Sequence, residues 1–256
     1  MTCGKDGRIS CPSRPIYPKI YMKQTLTLKH GLTMIQDDSY FKLTQDTALL
    51  SAFARVRRGE RALDLGCGCG ALGILLLGSS SDTVCDGVEL SSGAAELARE
   101  NYAACGFTAR GEIFTADLRE KGAFACGAYD VCISNPPYFT AMEGALSPHA
   151  HLAAARGDTG STLDDVCRAA ARALRWGGRF YLCYPPRRIE YLHACLAKYG
   201  FHVKAMRFVH QRPGAAAQLV LCEARTGGGE GCEISAPFWV EGADGGKSDE
   251  YRACFP

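Results

Sequence analysis

Apolar residues in this chain fall in short blocks set apart by glycine, proline and polar runs, and the period inside the blocks alternates from Arg61 onward. Ala62-Leu63-Asp64-Leu65 is a short buried strand, followed by a glycine turn and an apolar helix over 71–77. Residues 83–90 form a second strand, and Ser91 or Ser92 caps a helix through residue 104. Third and fourth strands are expected over 110–116 and 129–134, and residues 140–160 form a long loop without periodicity. Ser161-Thr162-Leu163-Asp164-Asp165 resembles a capping box opening a helix to Trp176, with Gly177-Gly178 ending it. A fifth strand over 179–184, a helix over 188–199 and two last strands over 201–210 and 218–224 complete the pattern. Such alternation predicts an α/β fold with a parallel sheet covered by helices on both faces. Only residues 211–217 separate the last two strands, too few for a helical crossover, so these pair antiparallel. The expectation is a mostly parallel seven-stranded sheet closed by an antiparallel hairpin.

Upstream, residues 23–36 carry alternating apolar runs that suit strands, and Asp46 is expected to cap the helix beginning Thr47-Ala48-Leu49-Leu50. Residues 1–20, rich in Gly, Pro and Ser, are expected to be a disordered arm. Residues 21–256 then make one domain, with 21–58 as an N-terminal lid and 59–256 as its core. No internal repeat is visible.

Composition narrows the class. A chain of 256 residues suits one α/β domain with small additions. No apolar run reaches the roughly 18 residues needed to span a membrane, and residues 1–10 do not resemble a signal peptide. Most of the fourteen cysteines, such as Cys85, Cys132, Cys167, Cys183, Cys195 and Cys222, sit inside periodic segments as small hydrophobes. Cys67 and Cys69 are one residue apart, poor spacing for zinc. Reduced thiols, a cytoplasmic location and no metal are therefore expected. Net charge is only +2, but Lys5, Arg8, Arg14, Lys19, Lys23 and Lys29 face Asp6 alone in the first thirty residues. That arm suits a polyanion or a solvated tail equally.

Candidate chemistry begins at Asp64-Leu65-Gly66-Cys67-Gly68-Cys69-Gly70. Glycines between a strand and a helix let the backbone turn sharply and let a ligand approach closely. Glu89 ends the next strand, where a carboxylate can accept both hydroxyls of a ribose. Gly66, Gly68 and Ala71 also fit a dinucleotide fingerprint. Two features favour S-adenosylmethionine: Asp64 at the leading edge of the turn, and Asp117 at the end of the third strand, placed to accept from an adenine amino group. Cys67, Gly68, Gly70 and, further on, Asn135 complete the expected cofactor contacts.

Ser134-Asn135-Pro136-Pro137-Tyr138-Phe139 follows the fourth strand and is the sharpest signal. Two adjacent prolines hold the chain rigid. The Asn135 side chain and the Pro136 carbonyl thus become two fixed acceptors, suited to the two hydrogens of a planar NH2 group. Holding both aims the nitrogen lone pair, and in an in-line displacement positioning supplies most of the catalysis. Tyr138 and Phe139 offer stacking faces for an extruded base. Adenine N6, guanine N2 and a glutamine side-chain amide all qualify as acceptors. Glutamine methyltransferases of release factors carry the same motif behind a substantial helical domain, whereas fewer than 65 residues precede Asp64 here. A binding module without catalysis has no use for Asn135 and the paired prolines.

These residues resemble those of the bacterial methyltransferases that modify adenine-37 N6 in tRNA1(Val). The resemblance runs from Gly31 to the C-terminus and includes Met34-Ile35-Gln36, residues 41–50, residues 135–139, the loop ending at Arg156, and Arg207-Phe208-Val209-His210. The family often has His-Glu after that loop arginine, and this chain has Gly157-Asp158. The resemblance implies a class I, Rossmann-like methyltransferase fold, S-adenosylmethionine as cofactor and tRNA as partner. It also implies a catalytic role for Asn135, Pro136, Pro137 and Tyr138, with Phe139 and Arg156 near the substrate. Arg187-Arg188, just past the fifth strand, is a candidate phosphate contact. Arg168, Arg172 and Arg175 share a helical face that suits solvent better than RNA, and His149 and His151 suit loop positions better than general bases. A monomer or weak homo-oligomer is expected.

Overall fold

The computed structural model describes residues 23–28, 31–38, 40, 43–136, 138 and 161–255. The expected basic arm (1–20) and the long loop (140–160) lie outside the described residues.

Two short strands, β1 (Lys23–Thr27) and β2 (Thr33–Asp37), pair antiparallel as a separate hairpin. Buried Asn101 ties it down, accepting from the Ile35 N–H at 2.7 Å and donating to the Ile35 and Cys69 carbonyls at 2.9 and 3.0 Å. One amide thus links the hairpin to the glycine turn. Helix α1 (Gln45–Phe53) follows. Its cap is Thr44, whose hydroxyl accepts from the Thr47 N–H, and not the expected Asp46. Asp46 lies one position inside the first turn, where a carboxylate still favours the helix dipole.

The main sheet runs β3 (Arg61–Leu65), β4 (Val84–Glu89), β5 (Ile113–Thr115), β6 (Tyr129–Ser134), β7 (Leu174–Tyr184), β8 (Phe201–His210) and β9 (Ala217–Thr226) in chain order. In space the order is β5-β4-β3-β6-β7-β9-β8. Strands β3 to β7 are parallel, and β9 inserts antiparallel between β7 and β8. This is the class I methyltransferase arrangement, with the hairpin that the short 211–217 connection requires. Helices α2 (Ala71–Gly78) and α3 (Ser92–Ala104) cover one face; α4 (Leu163–Ala173) and α5 (Ile189–Lys198) cover the other. Past the irregularity between Tyr129 and Val131, side chains of β6 alternate between the two cores: Val131 and Ile133 on the side of α2 and α3, Cys132 on the side of α4, where Tyr129 also lies. The same alternation puts Tyr181 and Cys183 on one side and Phe180, Leu182 and Tyr184 on the other.

Three details differ from expectation. Helix α4 stops at Ala173, because Leu174 turns extended and pairs with Tyr129. Residues 175–178 then bulge out before Arg179 pairs with Val131, with Gly177 at φ 75° and Trp176 exposed. The glycine pair therefore marks a bulge inside β7, not a helix stop. The third strand shrinks to β5. Finally, the sheet has nine strands among the described residues, because β10 (Glu233–Ile234) and β11 (Phe238–Trp239) add in parallel to the outer edge of β8. Covering an edge removes a template for unwanted pairing. A last helix, α6 (Asp249–Cys254), is capped by Ser248 and reaches α1 through Tyr251, whose hydroxyl donates to Gln45 Oε1 at 3.3 Å.

Candidate active site

The carboxyl ends of β3, β4, β5 and β6 open on one cavity of about 240 Å³. In an open α/β sheet ligands gather at this end. Past β3, the Gly66 and Cys67 N–H groups donate to the Val88 carbonyl at 2.9 and 3.0 Å, which draws the turn over the end of β4. Gly66 has φ 76° and Gly68 φ 55°, conformations that suit glycine. Gly66, Cys67 and Gly68 line the cavity. Gly70 is set back as the left-handed cap of α2, and a Cβ there would meet the Tyr102 ring at 3.1 Å.

Glu89 ends β4 with both oxygens engaged by backbone. Gly68 N–H donates to Oε2 and Ser91 N–H to Oε1, each at 2.9 Å. The carboxylate thus joins the glycine turn to the cap of α3 and keeps lone pairs toward the cavity it lines. Asp117, past β5, is clamped by Arg119, which donates from its backbone at 2.9 Å and from its guanidinium at 2.6 Å. That ion pair holds the Asp117 carboxyl below its usual range.

Asp64 is the unusual member. It is 1% exposed, and its Oδ2 is buried without a hydrogen-bond partner. Burial pushes its carboxyl up to about 8, the Glu89 charge adding to the effect and a Gly73 backbone hydrogen bond opposing it. A buried acceptor left without a donor costs stability. Asp64 is among the residues lining the cavity. Burial also raises the Cys69 thiol, to about 11, and the Cys67 thiol well above its ordinary value, so neither is a nucleophile at neutral pH. Among the described residues, no group of three or more His, Cys, Asp or Glu side chains could hold a metal ion, and no helix is long and apolar enough to cross a membrane.

Asn135 follows β6 and borders the same cavity. Ser134 anchors that strand end by donating to the Leu65 carbonyl at 2.8 Å. Asn135 Nδ2 donates to Thr47 Oγ1 at 3.1 Å. Its Oδ1 accepts from the Tyr138 hydroxyl at 2.7 Å and the Cys183 thiol at 3.1 Å. Tyr138 points its hydroxyl inward, 3.0 Å from Asp46 Oδ2, and sets its ring edge-on to Tyr184. Burial raises both the Tyr138 phenol and the Asp46 carboxyl, the Tyr138 hydrogen bond opposing the latter shift. Pro136 is buried. Pro137, Phe139 and Arg156 lie outside the described residues, as do His149 and His151.

Arg188 donates to the Tyr138 carbonyl at 2.9 Å and lies over the rings of Tyr184 and Tyr191. It therefore holds the segment after β6 in place. Arg187 is exposed beside it. Of the three arginines expected on one helical face, Arg175 lies beyond the end of that helix, in the bulge, and pairs with Asp130, while Arg168 pairs with Asp165 and Arg172 donates to the Leu118 and Glu120 carbonyls over the Phe124 ring. Sequence reasoning missed Thr47 and Cys183. The available signal for Thr47 was a hydroxyl opening an otherwise apolar helical stretch; Cys183 carries none, being one of many buried thiols.

The sequence fits the methyltransferase small domain family over residues 39–198. The chain is 32% identical over 216 residues to the tRNA1(Val) (adenine(37)-N6)-methyltransferase of Aeromonas hydrophila, covering 84% of this chain and 89% of that protein. It is 29% identical over 231 residues to the protein of the same name from Escherichia coli O157:H7, covering 88% and 93%. Among solved structures, a predicted O-methyltransferase from Agrobacterium tumefaciens superposes with a TM-score of 0.68 at 22% identity, over 82% of this chain and 94% of that one. TrmN from Thermus thermophilus superposes with a TM-score of 0.52 at 23% identity, over 70% of this chain and 48% of that one. These two structures share the fold.

Proposed function

This chain belongs to the methyltransferase small domain family, and we propose that it methylates the N6 amino group of an adenine in tRNA, adenine-37 of tRNA1(Val), the reaction for which its curated relatives are named. One observation carries the reading: Asn135 borders the same cavity as Asp64, Gly66, Gly68, Glu89 and Asp117.

The residues present fit S-adenosylmethionine. The unpartnered Asp64 Oδ2 is an acceptor for a cationic ammonium. Glu89 is an acceptor for ribose hydroxyls and Asp117 for an adenine amino group. When bound, S-adenosylmethionine supplies an electrophilic methyl group. The chain's own residues do the positioning. Asn135 Oδ1 and the Pro136 carbonyl receive the two N–H groups of the target amine, which aims its lone pair. In the free protein the Tyr138 hydroxyl donates to Oδ1. The target N–H replaces that donor, and the Tyr138 ring, with Phe139, becomes a stacking face for the base. A loop nucleotide is cheaper to unstack than a duplex one. Arg156, Arg187 and the basic residues of the first thirty positions meet phosphate, with Arg188 shaping the same edge. Such a substrate places the enzyme in the cytoplasm.

The test is labelled-methyl transfer to tRNA with wild type and Asn135→Ala, followed by nucleoside analysis. Label in N6-methyladenosine is expected. The substitution should slow transfer about 10²–10³-fold, as for loss of one positioned partner, with S-adenosylhomocysteine affinity nearly intact. Label only in 2-methylguanosine, or only in a release-factor glutamine, refutes the substrate. Normal turnover by Asn135→Ala refutes the mechanism.

A further inference from the structure

Thr47 has no role in the reading so far, yet it is the link between α1 and the catalytic motif. It is 6% exposed, third in α1, and lines the cavity. A buried hydroxyl costs free energy unless it is hydrogen-bonded, and valine would fill the same space without that cost. The hydroxyl has two partners, Thr44 Oγ1 at 3.2 Å and Asn135 Nδ2 at 3.1 Å. Thr44 Oγ1 already receives the Thr47 N–H and still has a lone pair for the Thr47 proton. Donating there, Thr47 Oγ1 turns its lone pairs toward Asn135.

That arrangement decides which way the Asn135 amide faces. An amide is nearly symmetric in shape, so its neighbours' donors and acceptors set its orientation. On one side stands Thr47, an acceptor. On the other stands the Cys183 thiol, which donates to Oδ1, with the Tyr138 hydroxyl proton shared between Oδ1 and Asp46 Oδ2. Nδ2 therefore faces α1, and Oδ1 faces the donors. Substrate binding changes the second side, because the target N–H replaces Tyr138. Thr47 is the contact to Nδ2, and substrate binding leaves it in place. Residues 47 and 135 meet at the cavity although they lie 88 positions apart in sequence.

We propose that Thr47 is a positioning residue: its hydroxyl holds the Asn135 amide with Oδ1 presented to the target amine. This rests on the reading of Asn135 given above. Losing the hydroxyl leaves the amide free to turn its NH2 toward the amine, a donor facing a donor.

The experiment compares Thr47→Val, Thr47→Ser, Asn135→Ala and the Thr47→Val/Asn135→Ala double variant. The nitrogen-15 NMR signals of the Asn135 side-chain amide, identified by their absence in Asn135→Ala, are followed with S-adenosylhomocysteine present. Single-turnover methyl transfer, S-adenosylhomocysteine affinity and melting temperature are measured beside them. In Thr47→Val the amide signals should shift and lose exchange protection, and transfer should fall about tenfold or more, the scale of one lost tenfold-per-1.4 kcal/mol contact. Cofactor-product affinity should stay near wild type. Thr47→Ser should retain the signals and the rate. The double variant should be no slower than Asn135→Ala, because the two residues act as one unit. Unchanged amide signals in Thr47→Val overturn the proposal, as does a Thr47→Ser enzyme as slow as Thr47→Val, or a double variant that multiplies both losses. If Asn135→Ala turns over normally, the catalytic reading fails, and the amide signals still decide whether Thr47 orients that side chain.

Discussion

Cofactor binding should take a proton from Asp64, and its pH dependence can be worked from the structure. In the free protein burial holds this carboxyl up to about 8, so at pH 7 only about one molecule in eleven has it ionised. A ligand that seats a cation beside Oδ2 binds the ionised form. Its apparent affinity is the intrinsic value multiplied by that fraction, a penalty of about 1.4 kcal/mol at pH 7 and about 2.7 kcal/mol at pH 6. The sign follows from the direction of the shift. A raised carboxyl is neutral below its folded value, so ligand binding expels a proton there. Affinity therefore climbs with pH, about tenfold per unit up to pH 7, and flattens above about 8. Calorimetry with S-adenosylhomocysteine at pH 6, 7 and 8, in two buffers of different ionisation enthalpy, measures both affinity and proton release. Release should approach one proton per site at pH 6 and fall to about half at pH 8. Asp64→Asn should bind weakly at every pH and release none. A flat affinity over this range, or an Asp64→Asn protein that keeps the slope, refutes the reasoning.

Glu89→Ala removes the acceptor for two backbone N–H groups, at Gly68 and Ser91. S-adenosylhomocysteine should bind at least about tenfold more weakly and the melting temperature should drop, because two half-buried donors lose a charged acceptor; unchanged values in calorimetry and a thermal melt count against the assignment. Asp86, 2% exposed, accepts from Arg61 at 2.7 Å, from the Tyr129 hydroxyl at 3.0 Å and from the Glu112 N–H at 3.0 Å, away from the cavity. Asp86→Ala should cost about 1–3 kcal/mol in urea unfolding, because the buried Tyr129 hydroxyl loses its acceptor, with cofactor-product affinity little changed in the folded protein. A loss under about 0.5 kcal/mol, the range of ordinary surface substitutions, would show that Asp86 is not a hub.

Which parts were legible follows from how each is encoded. The glycine turn, Glu89, Asp117 and Asn135 each end or follow a short strand set off by turn or cap residues, so placing the strands placed the residues. Parallel order and the antiparallel return of β9 followed from connection lengths. What escaped has no period. The bulge at residues 175–178 depends on Leu174 finding Tyr129 across the sheet. Its Gly177-Gly178 signal fits a helix stop equally well. Strands β10 and β11 are two residues each, too short for alternation to register. Asp46 and Thr44 are both good cap residues. Only the backbone conformation separates them.

The same distinction explains why the catalytic motif and its supports differ in visibility. Asn135, Pro136 and Tyr138 are read together because they are contiguous. Two of their partners, Asp46 and Thr47, arrive from the first turn of α1, and each member of that turn has a different task. Gln45 receives the Tyr251 hydroxyl from the C-terminal helix, Asp46 receives the Tyr138 hydroxyl, and Thr47 receives Asn135 Nδ2. Three successive residues on a helix point about 100° apart, so they cannot share a face, and no amphipathic pattern reports them. Their convergence requires the end of α1 to be enclosed on several sides at once. Helix α6 supplies one wall, α2, β7 and β9 another, and the cavity the third. Enclosure of this kind makes α1 more than a lid over the glycine turn. Any displacement of its first turn moves the donors and acceptors around Asn135 together, so the geometry that aims the target amine is set by packing against α1 as much as by the rigid prolines.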